Sequence, residues 1–370
     1  MTSDIFLFGT LRYRPLLNLV SGGEVADDRL RPARLPDYSV LSVNDGAFPI
    51  LEASAGAWAP GDLLLRVTEE ERARLDFFEL IFDYSLKSKI LEGDLKALVY
   101  MPPKGRWAGK DAWAVQDWAD RFGALTLFAA EEVMSYYGQR SPQDVAALMP
   151  RITARAASRL RAQSSKHGAG TLDGAIERTF TQRAYSGFFA FDQIKACYET
   201  FAGRMSDEIT REIFIGTDAA IVLPYDPVRD RVLLVEQVRM GLWGRGDKTL
   251  WLMEPIAGLV DAGETPEDCA FREAQEEAGL TLTRLEPVAE AYASPGSVTD
   301  FFYIYVGLCD LPDDVTGTGG LASEGEDIRS HILSFDALMN QAETLQIGNA
   351  PMATAIYWLA HHRSRLRSGG

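Results

Sequence analysis

The chain is poor in the residues that bridge or metallate a fold. It has three cysteines and four histidines among 370 residues. Cys197, Cys269 and Cys309 are odd in number and far apart, which excludes a disulfide framework and a cysteine-type metal site. The histidines show no ligand spacing, and His361-His362 lies near a basic C-terminal tail. No apolar run approaches the roughly 20 residues of a membrane span. The first residues read as a strand rather than a secretion signal, so no membrane partner and a reducing cytoplasm are expected. Positive charge is short as well: 37 Lys and Arg stand against 53 Asp and Glu, a net charge of −16. That balance argues against a nucleic-acid polymer as partner, since phosphate backbones need a basic face. Neither an internal repeat nor a low-complexity block is present.

Acidic residues are concentrated where they carry most meaning. The stretch Gly258-Leu-Val-Asp-Ala-Gly-Glu264-Thr-Pro-Glu-Asp-Cys-Ala-Phe-Arg272-Glu273-Ala-Gln-Glu276-Glu277-Ala-Gly279-Leu280 reads as a loop and a helix. Thr265 is placed to cap the helix, with Pro266 at its first position, where a missing N–H is no loss. Gly279 sits where a left-handed residue would end it. Glu273, Glu276 and Glu277 are three and four residues apart and share one face, while Ala270, Phe271 and Ala274 offer an apolar side. Arg272 can pair with Glu276 at i,i+4. Carboxylates crowded in this way repel one another unless a cation is bound, and hard divalent ions take oxygen ligands of this kind. An ordinary solvated acidic helix is the bland alternative. Its spacing would arise by chance on the order of one time in a million at average usage.

The pattern is that of the Nudix box, and the C-terminal half resembles a Nudix hydrolase of nucleoside diphosphate-linked substrates. Ser294-Pro295-Gly296, with Pro295 sixteen residues past Gly279, resembles the ADP-ribose pyrophosphatase branch. The resemblance extends over about residues 183–362. It implies an α/β/α sandwich, Mg²⁺ as cofactor with Mn²⁺ as a substitute, a nucleoside diphosphate sugar as small-molecule partner, and a homodimer formed through this domain. By the same resemblance, Ala257 offers its carbonyl to metal while Glu273 and Glu277 supply carboxylates. Glu276 ligates or orients beside them. Of Glu324 and Glu326, the first is favoured as general base and the second as a further metal contact. Arg211 and Arg239 would clamp phosphate or ribose oxygens, Phe188 would stack on a base, and Gly258 and Ser294 would line the substrate. Asp300 would reach a terminal ribose across the dimer. The glycine-rich approach Thr316-Gly-Thr-Gly-Gly320 implies a movable lid. The same chemistry on another nucleoside diphosphate sugar or a dinucleotide remains open, as does a nucleotide-sensing binding protein.

Ile5-Phe-Leu-Phe8-Gly9-Thr10-Leu11 is an apolar strand opening into a glycine turn, and Leu75-Asp76-Phe77-Phe78-Glu79 follows a short helix. These features resemble the γ-glutamylcyclotransferase-like fold, a small mixed β-barrel-like domain. The resemblance places a candidate site at Gly9, Thr10, Leu11 and Glu79, with the glutamate as general base. Phe8 stands where that family has tyrosine, and Tyr84-Ser-Leu lacks a following arginine, which puts the transfer of activity in doubt. A fold can persist while its chemistry changes. The fold class expected is α/β (α+β). Its divisions are a cyclotransferase-like domain over 1–105, a helical connector and linker over 106–172, and a Nudix domain over 173–370. The basic run Arg151–Arg161 reads as a solvated face or as the partner of an acidic surface. This two-domain combination resembles bacterial proteins associated with tellurite resistance.

Overall fold

The computed structural model describes residues 3–43, 48–164, 170–313, 315, 317–320 and 325–369. The chain divides into two units, Met1–Gly170 and Thr171–Gly370.

In the first unit, six strands lie in the order Ser85–Ile90, Lys96–Met101, Ser3–Leu7, Pro49–Val67, Leu30–Val43, Gly109–Ala112. The apolar run at the start of the chain forms the buried central strand, parallel to Lys96–Met101 and antiparallel to Pro49–Val67. The sheet curls into an open half-barrel. Lys89 Nζ from the first strand in that order donates to the Tyr38 hydroxyl of the fifth at 2.8 Å. Helix Glu69–Leu80 starts with a reciprocal cap between Thr68 and Glu71 and carries Glu79 in its last turn.

The helical stretch expected as a connector is instead part of this unit. Within it, Gly109–Ala112 is a strand that pairs with Leu30–Val43. Helices Ala124–Ser135 and Pro142–Ser164 bury Ala129, Ala130, Val133, Val145 and Ile152 in the same core as Phe6, Leu16 and Leu75. The basic run on the second helix meets acidic partners on the first. Arg155 makes a forked, buried ion pair with Glu132 at 2.6 and 3.0 Å, and Arg159 pairs with Glu131 at 2.9 Å. Two-point geometry of that kind offsets the cost of taking both charges out of water.

The second unit is built on a mixed sheet ordered Arg284–Tyr292, Phe301–Leu308, Asp218–Asp226, Arg231–Val238, Ile328–Ser334, Thr318–Gly319. Trp251–Glu254 and Ile256–Leu259 add to Arg231–Val238 and Asp218–Asp226 respectively. Every residue of Asp218–Asp226 is buried, because helices cover both faces of the sheet. Ile221, Leu223 and Tyr225 pack with the C-terminal helices Phe335–Glu343 and Ala350–Arg367. Ala220 and Val222 pack with Cys269, Ala270 and Ala274 of helix Pro266–Ala278. Side chains alternate across a strand with period two, so this division makes the expected α/β/α sandwich. A separate antiparallel sheet, Ile176–Ser186, Ala190–Tyr198, Ile209–Ile215, precedes it. It is tied to the main body where Phe214 bridges Val298.

Candidate active site and a second pocket

Helix Pro266–Ala278 forms as the local sequence dictates. The Thr265 side chain accepts from Asp268 N–H, Pro266 opens the first turn, and Gly279 closes the helix in the left-handed region at φ 64°. One departure concerns its docking face: Phe271 is exposed, and Cys269 takes the buried position beside Ala270 and Ala274. Phe271 points outward because the face toward the sheet is spaced by four residues, 270 and 274, with Cys269 alongside. The Cys269 thiol donates to the carbonyls of Gly258 and Leu259, a packing role with no reactive exposure.

The carboxylates are organised by one guanidinium. Arg272 donates to Glu264 through Nε and Nη2 at 2.8 and 3.0 Å, to Glu273 at 2.6 Å and to Glu276 at 3.1 Å. Four donors on a rigid fork fix three carboxylates. Glu264 was not singled out from the sequence as a site residue, although it stands in the box; only its pairing with Arg272 shows its role. Glu273 packs directly on the Gly258 backbone, where a Cβ would lie 1.8 Å from its Oε1. Burial raises the carboxyl pKa of Glu273, with Arg272 opposing and Glu276 and Glu326 reinforcing.

Glu277 is only 2% exposed. Burial, with the nearby charges of Glu273 and Glu326, pushes its carboxyl up to about 8, against the pull of Arg239 and an N–H donated by Ala257. Its Oε2 is buried with no hydrogen-bond partner. Ionising a buried carboxyl whose oxygen has no donor is costly, and a cation is the natural compensation. Among the described residues no three acidic, histidine or cysteine side chains converge closely enough to enclose an ion as they stand. Arg272 holds Glu273 and Glu276, and Glu324 lies outside the described residues. The donor set nevertheless suits a divalent cation: hard oxygens, one of them unsatisfied, gathered around Glu277.

The other expected residues divide. Arg239 faces this cluster electrostatically and pairs with the buried Glu254, which also accepts from Asn349 Nδ2 at 2.8 Å. The Ala257 N–H donates to Glu277. The glycine-rich approach is no free lid over its described part. Thr318–Gly319 pairs with Ile328–Ser334, and a Cβ on Gly319 would come within 2.1 Å of the Glu277 carbonyl oxygen. Arg211 and Phe188 lie on the three-stranded sheet and its turn. Arg211 donates to the Thr210 carbonyl, and Phe188 is half exposed and packs edge-on against Phe189. Ser294 sits in an exposed turn whose carbonyl accepts from Ser297 and Val298. Asp300 packs on Gly216 and accepts from Thr217 N–H, its pKa raised by burial and by Asp218.

In the first unit Gly9, Thr10, Leu11 and Glu79 do converge. They line one cavity of about 230 Å³ with Phe6, Phe8, Phe78, Phe82, Tyr84 and Tyr100. The helices after residue 120 contribute Leu125, Thr126, Ala129, Met149 and Thr153, which the sequence did not mark. Burial pushes the Glu79 carboxyl up to about 8, with a smaller contribution from the charge of Asp76.

A NUDIX domain model matches residues 216–356, and a gamma-glutamyl cyclotransferase, AIG2-like, model matches residues 5–120. The ADP-ribose pyrophosphatase of Escherichia coli (strain K12) is 41% identical over 193 residues, 52% of this chain and 91% of that protein. The ADP-ribose pyrophosphatase of Haemophilus influenzae (strain ATCC 51907 / DSM 11121 / KW20 / Rd) is 36% identical over 194 residues, 52% of this chain and 89% of that protein. A GDP-mannose pyrophosphatase of Salmonella arizonae (strain ATCC BAA-731 / CDC346-86 / RSK2980) is 31% identical over 156 residues, covering 42% and 79%.

Proposed function

This chain belongs to the Nudix hydrolase family, as an enzyme hydrolysing nucleoside diphosphate compounds with an AIG2-like domain at its N-terminus, and on that premise we propose that it cleaves the diphosphate of ADP-ribose to AMP and ribose 5-phosphate with Mg²⁺. The chemistry rests on Glu277, a buried carboxylate with an unpartnered oxygen beside Glu273 and Glu326. Glu273, Glu277 and Glu326, with the Ala257 carbonyl, are the groups to hold the cation. When bound, that cation neutralises charge on the diphosphate oxygens and lowers the pKa of a water. Arg272 holds the carboxylates in register, and Arg239 brings positive charge to the same cluster. Glu324 is our choice of general base, with Gly258 and Ser294 beside the substrate. The substrate choice is supported by the two ADP-ribose pyrophosphatases, which match across nearly their whole length.

The GDP-mannose pyrophosphatase among the relatives favours a second reading, the same chemistry on another nucleoside diphosphate sugar. A panel of ADP-ribose, GDP-mannose and NADH, with Mg²⁺ or Mn²⁺ and phosphatase-coupled phosphate release, separates the two. Turnover of GDP-mannose well above that of ADP-ribose overturns the first. We read the enzyme as a homodimer. The support is the row of exposed aromatics on the three-stranded sheet, Phe180, Tyr185, Phe188, Phe189 and Phe191, a patch of the kind that marks an interface. Asp300 is then assigned to the terminal ribose across that dimer, and Arg211 to phosphate or ribose oxygens. A cytoplasmic location accords with three unpaired thiols, and no helix among the described residues is long and apolar enough to cross a membrane.

A further inference from the structure

Arg239 follows directly on strand Arg231–Val238, and its guanidinium is held from one side. Its Nε donates to one oxygen of Glu254, on the neighbouring strand Trp251–Glu254. Its two terminal nitrogens make no hydrogen bond to a described residue. Glu254 is buried, so each of its carboxylate oxygens needs a donor. Arg239 supplies the first. The second is Asn349 Nδ2, at 2.8 Å on the other oxygen.

Asn349 is the cap of helix Ala350–Arg367, its Oδ1 accepting from the Met352 N–H at 3.0 Å. With the amide oxygen engaged by the cap, the amide NH₂ is left to face Glu254. Close backbone packing brings the two together. A Cβ on Gly348 would lie 2.7 Å from Leu252 Cδ1, so glycine lets the cap sit tight against the strand that carries Glu254. A cap alone does not require that second bond, since serine or aspartate would serve the helix as well. Glu254 also opens the run Glu254-Pro-Ile-Ala257-Gly258. In that run the Ala257 N–H donates to Glu277, and Gly258 carries Glu273 on its backbone. The anchor of Arg239 therefore shares one short stretch of chain with the contacts of both carboxylates. Holding an arginine by Nε removes much of its rotamer freedom and leaves its terminal N–H groups for a pair of anionic oxygens.

We propose that Asn349 is a positioning residue for the reaction: through Glu254 it fixes the guanidinium of Arg239 with its terminal nitrogens turned to the substrate oxygens. The inference rests on the Nudix chemistry proposed above, with Arg239 as a substrate clamp. Asn349 itself touches no substrate.

The test uses the full chain. Asn349→Ser keeps a cap and removes the donor to Glu254. With Mg²⁺ and the best substrate of the panel, KM should rise about 10-fold while kcat changes less than about threefold, the pattern of a lost uniform contact. In the Arg239→Ala background the same substitution should change kcat/KM by less than about twofold, because its effect passes through the missing arginine. A second readout needs no turnover. In ligand-free protein the Arg239 Nε–H gives a ¹H–¹⁵N correlation, identified by its loss in Arg239→Ala. In Asn349→Ser that signal should broaden or move toward the position of exposed arginines. Asn349→Thr also keeps a cap and replaces the serine variant if that one fails to fold. An unmoved Nε–H signal in a folded variant overturns the proposal whatever the substrate proves to be. So does an equal rise in KM with and without Arg239, or a loss confined to kcat. Turnover of no panel member overturns the reading on which the proposal rests, while a moved Nε–H signal would still establish the linkage from Asn349 to Arg239.

Discussion

The carboxylate of Glu273 rests on the bare backbone of Gly258, with 1.8 Å between Oε1 and the place a Cβ would occupy. The first glycine of the box is therefore a seat for the second-half glutamate rather than a turn residue, since it needs no positive φ. Gly258→Ala should push Glu273 out of the array held by Arg272. We expect kcat to fall by about 100-fold, the scale of a misplaced catalytic group. Steady-state kinetics beside a circular dichroism melt checks this, and unchanged kcat in a folded variant contradicts it.

Glu277 joins catalysis to stability. Its carboxyl pKa is raised to about 8, so without a cation the folded state binds the proton that the unfolded chain has released. That contribution is complete below the ordinary carboxylate range and is lost as pH rises toward 8. In chelator at pH 8, Glu277→Gln should melt above the unsubstituted protein. Adding Mg²⁺ should raise the melting temperature of the unsubstituted protein and leave the variant where it is. Its kcat should drop by about three orders of magnitude, as for removal of a group that acts on developing charge.

The same sign governs Glu79 in the first unit, with no metal involved. Desolvation raises its carboxyl to about 8, so the unit loses stability as pH climbs from about 4.5 to 8. Glu79→Gln has no proton to lose. The gap in urea midpoint between variant and parent should be small at pH 4.5, widen steadily, and level off above pH 8. Parallel curves across that range would remove the assignment of Glu79 as a buried acid.

Arg272 binds Glu264 with two nitrogens and reaches Glu273 and Glu276 with a third. Lysine presents a point charge and cannot reproduce that fork. Arg272→Lys should raise the Mg²⁺ concentration for half-maximal activity by about 10- to 100-fold, the usual effect of disturbing a group that orients metal ligands. Saturating Mg²⁺ should recover most of kcat. A Mg²⁺ titration of rate at fixed substrate gives the answer.

How far the molecule can be read before folding depends on how local each feature is. Thr265, Pro266 and Gly279 cap and end a helix through their own backbone preferences, and Arg272 meets Glu276 one turn away, so the box helix was legible in full. The hairpin from Asp218–Asp226 to Arg231–Val238 was legible for the same reason. Phe271 was misread because it falls on the side of the helix away from the sheet, which Cys269, Ala270 and Ala274 face. The helical stretch after residue 106 was taken for a connector because its apolar positions name no partner. Its partners lie far earlier in the chain, and only packing brings Ala129 and Ile152 into one core with Phe6, Leu16 and Leu75.

For the chemistry, the sequence alone determined that carboxylates share a face beside an arginine, since helical spacing guarantees it. The tertiary structure decided which of them matters most. Glu277 and Glu276 are adjacent in sequence, yet one is buried with an unpartnered oxygen and the other stays at the surface beside Arg272. That difference comes from the sheet that covers one side of the helix, and from the low dielectric it creates there. The strand Ile256–Leu259 brings Gly258 under Glu273, and the roofing helices close the cavity over Glu79. Both relations join residues distant in the chain, which periodicity cannot encode.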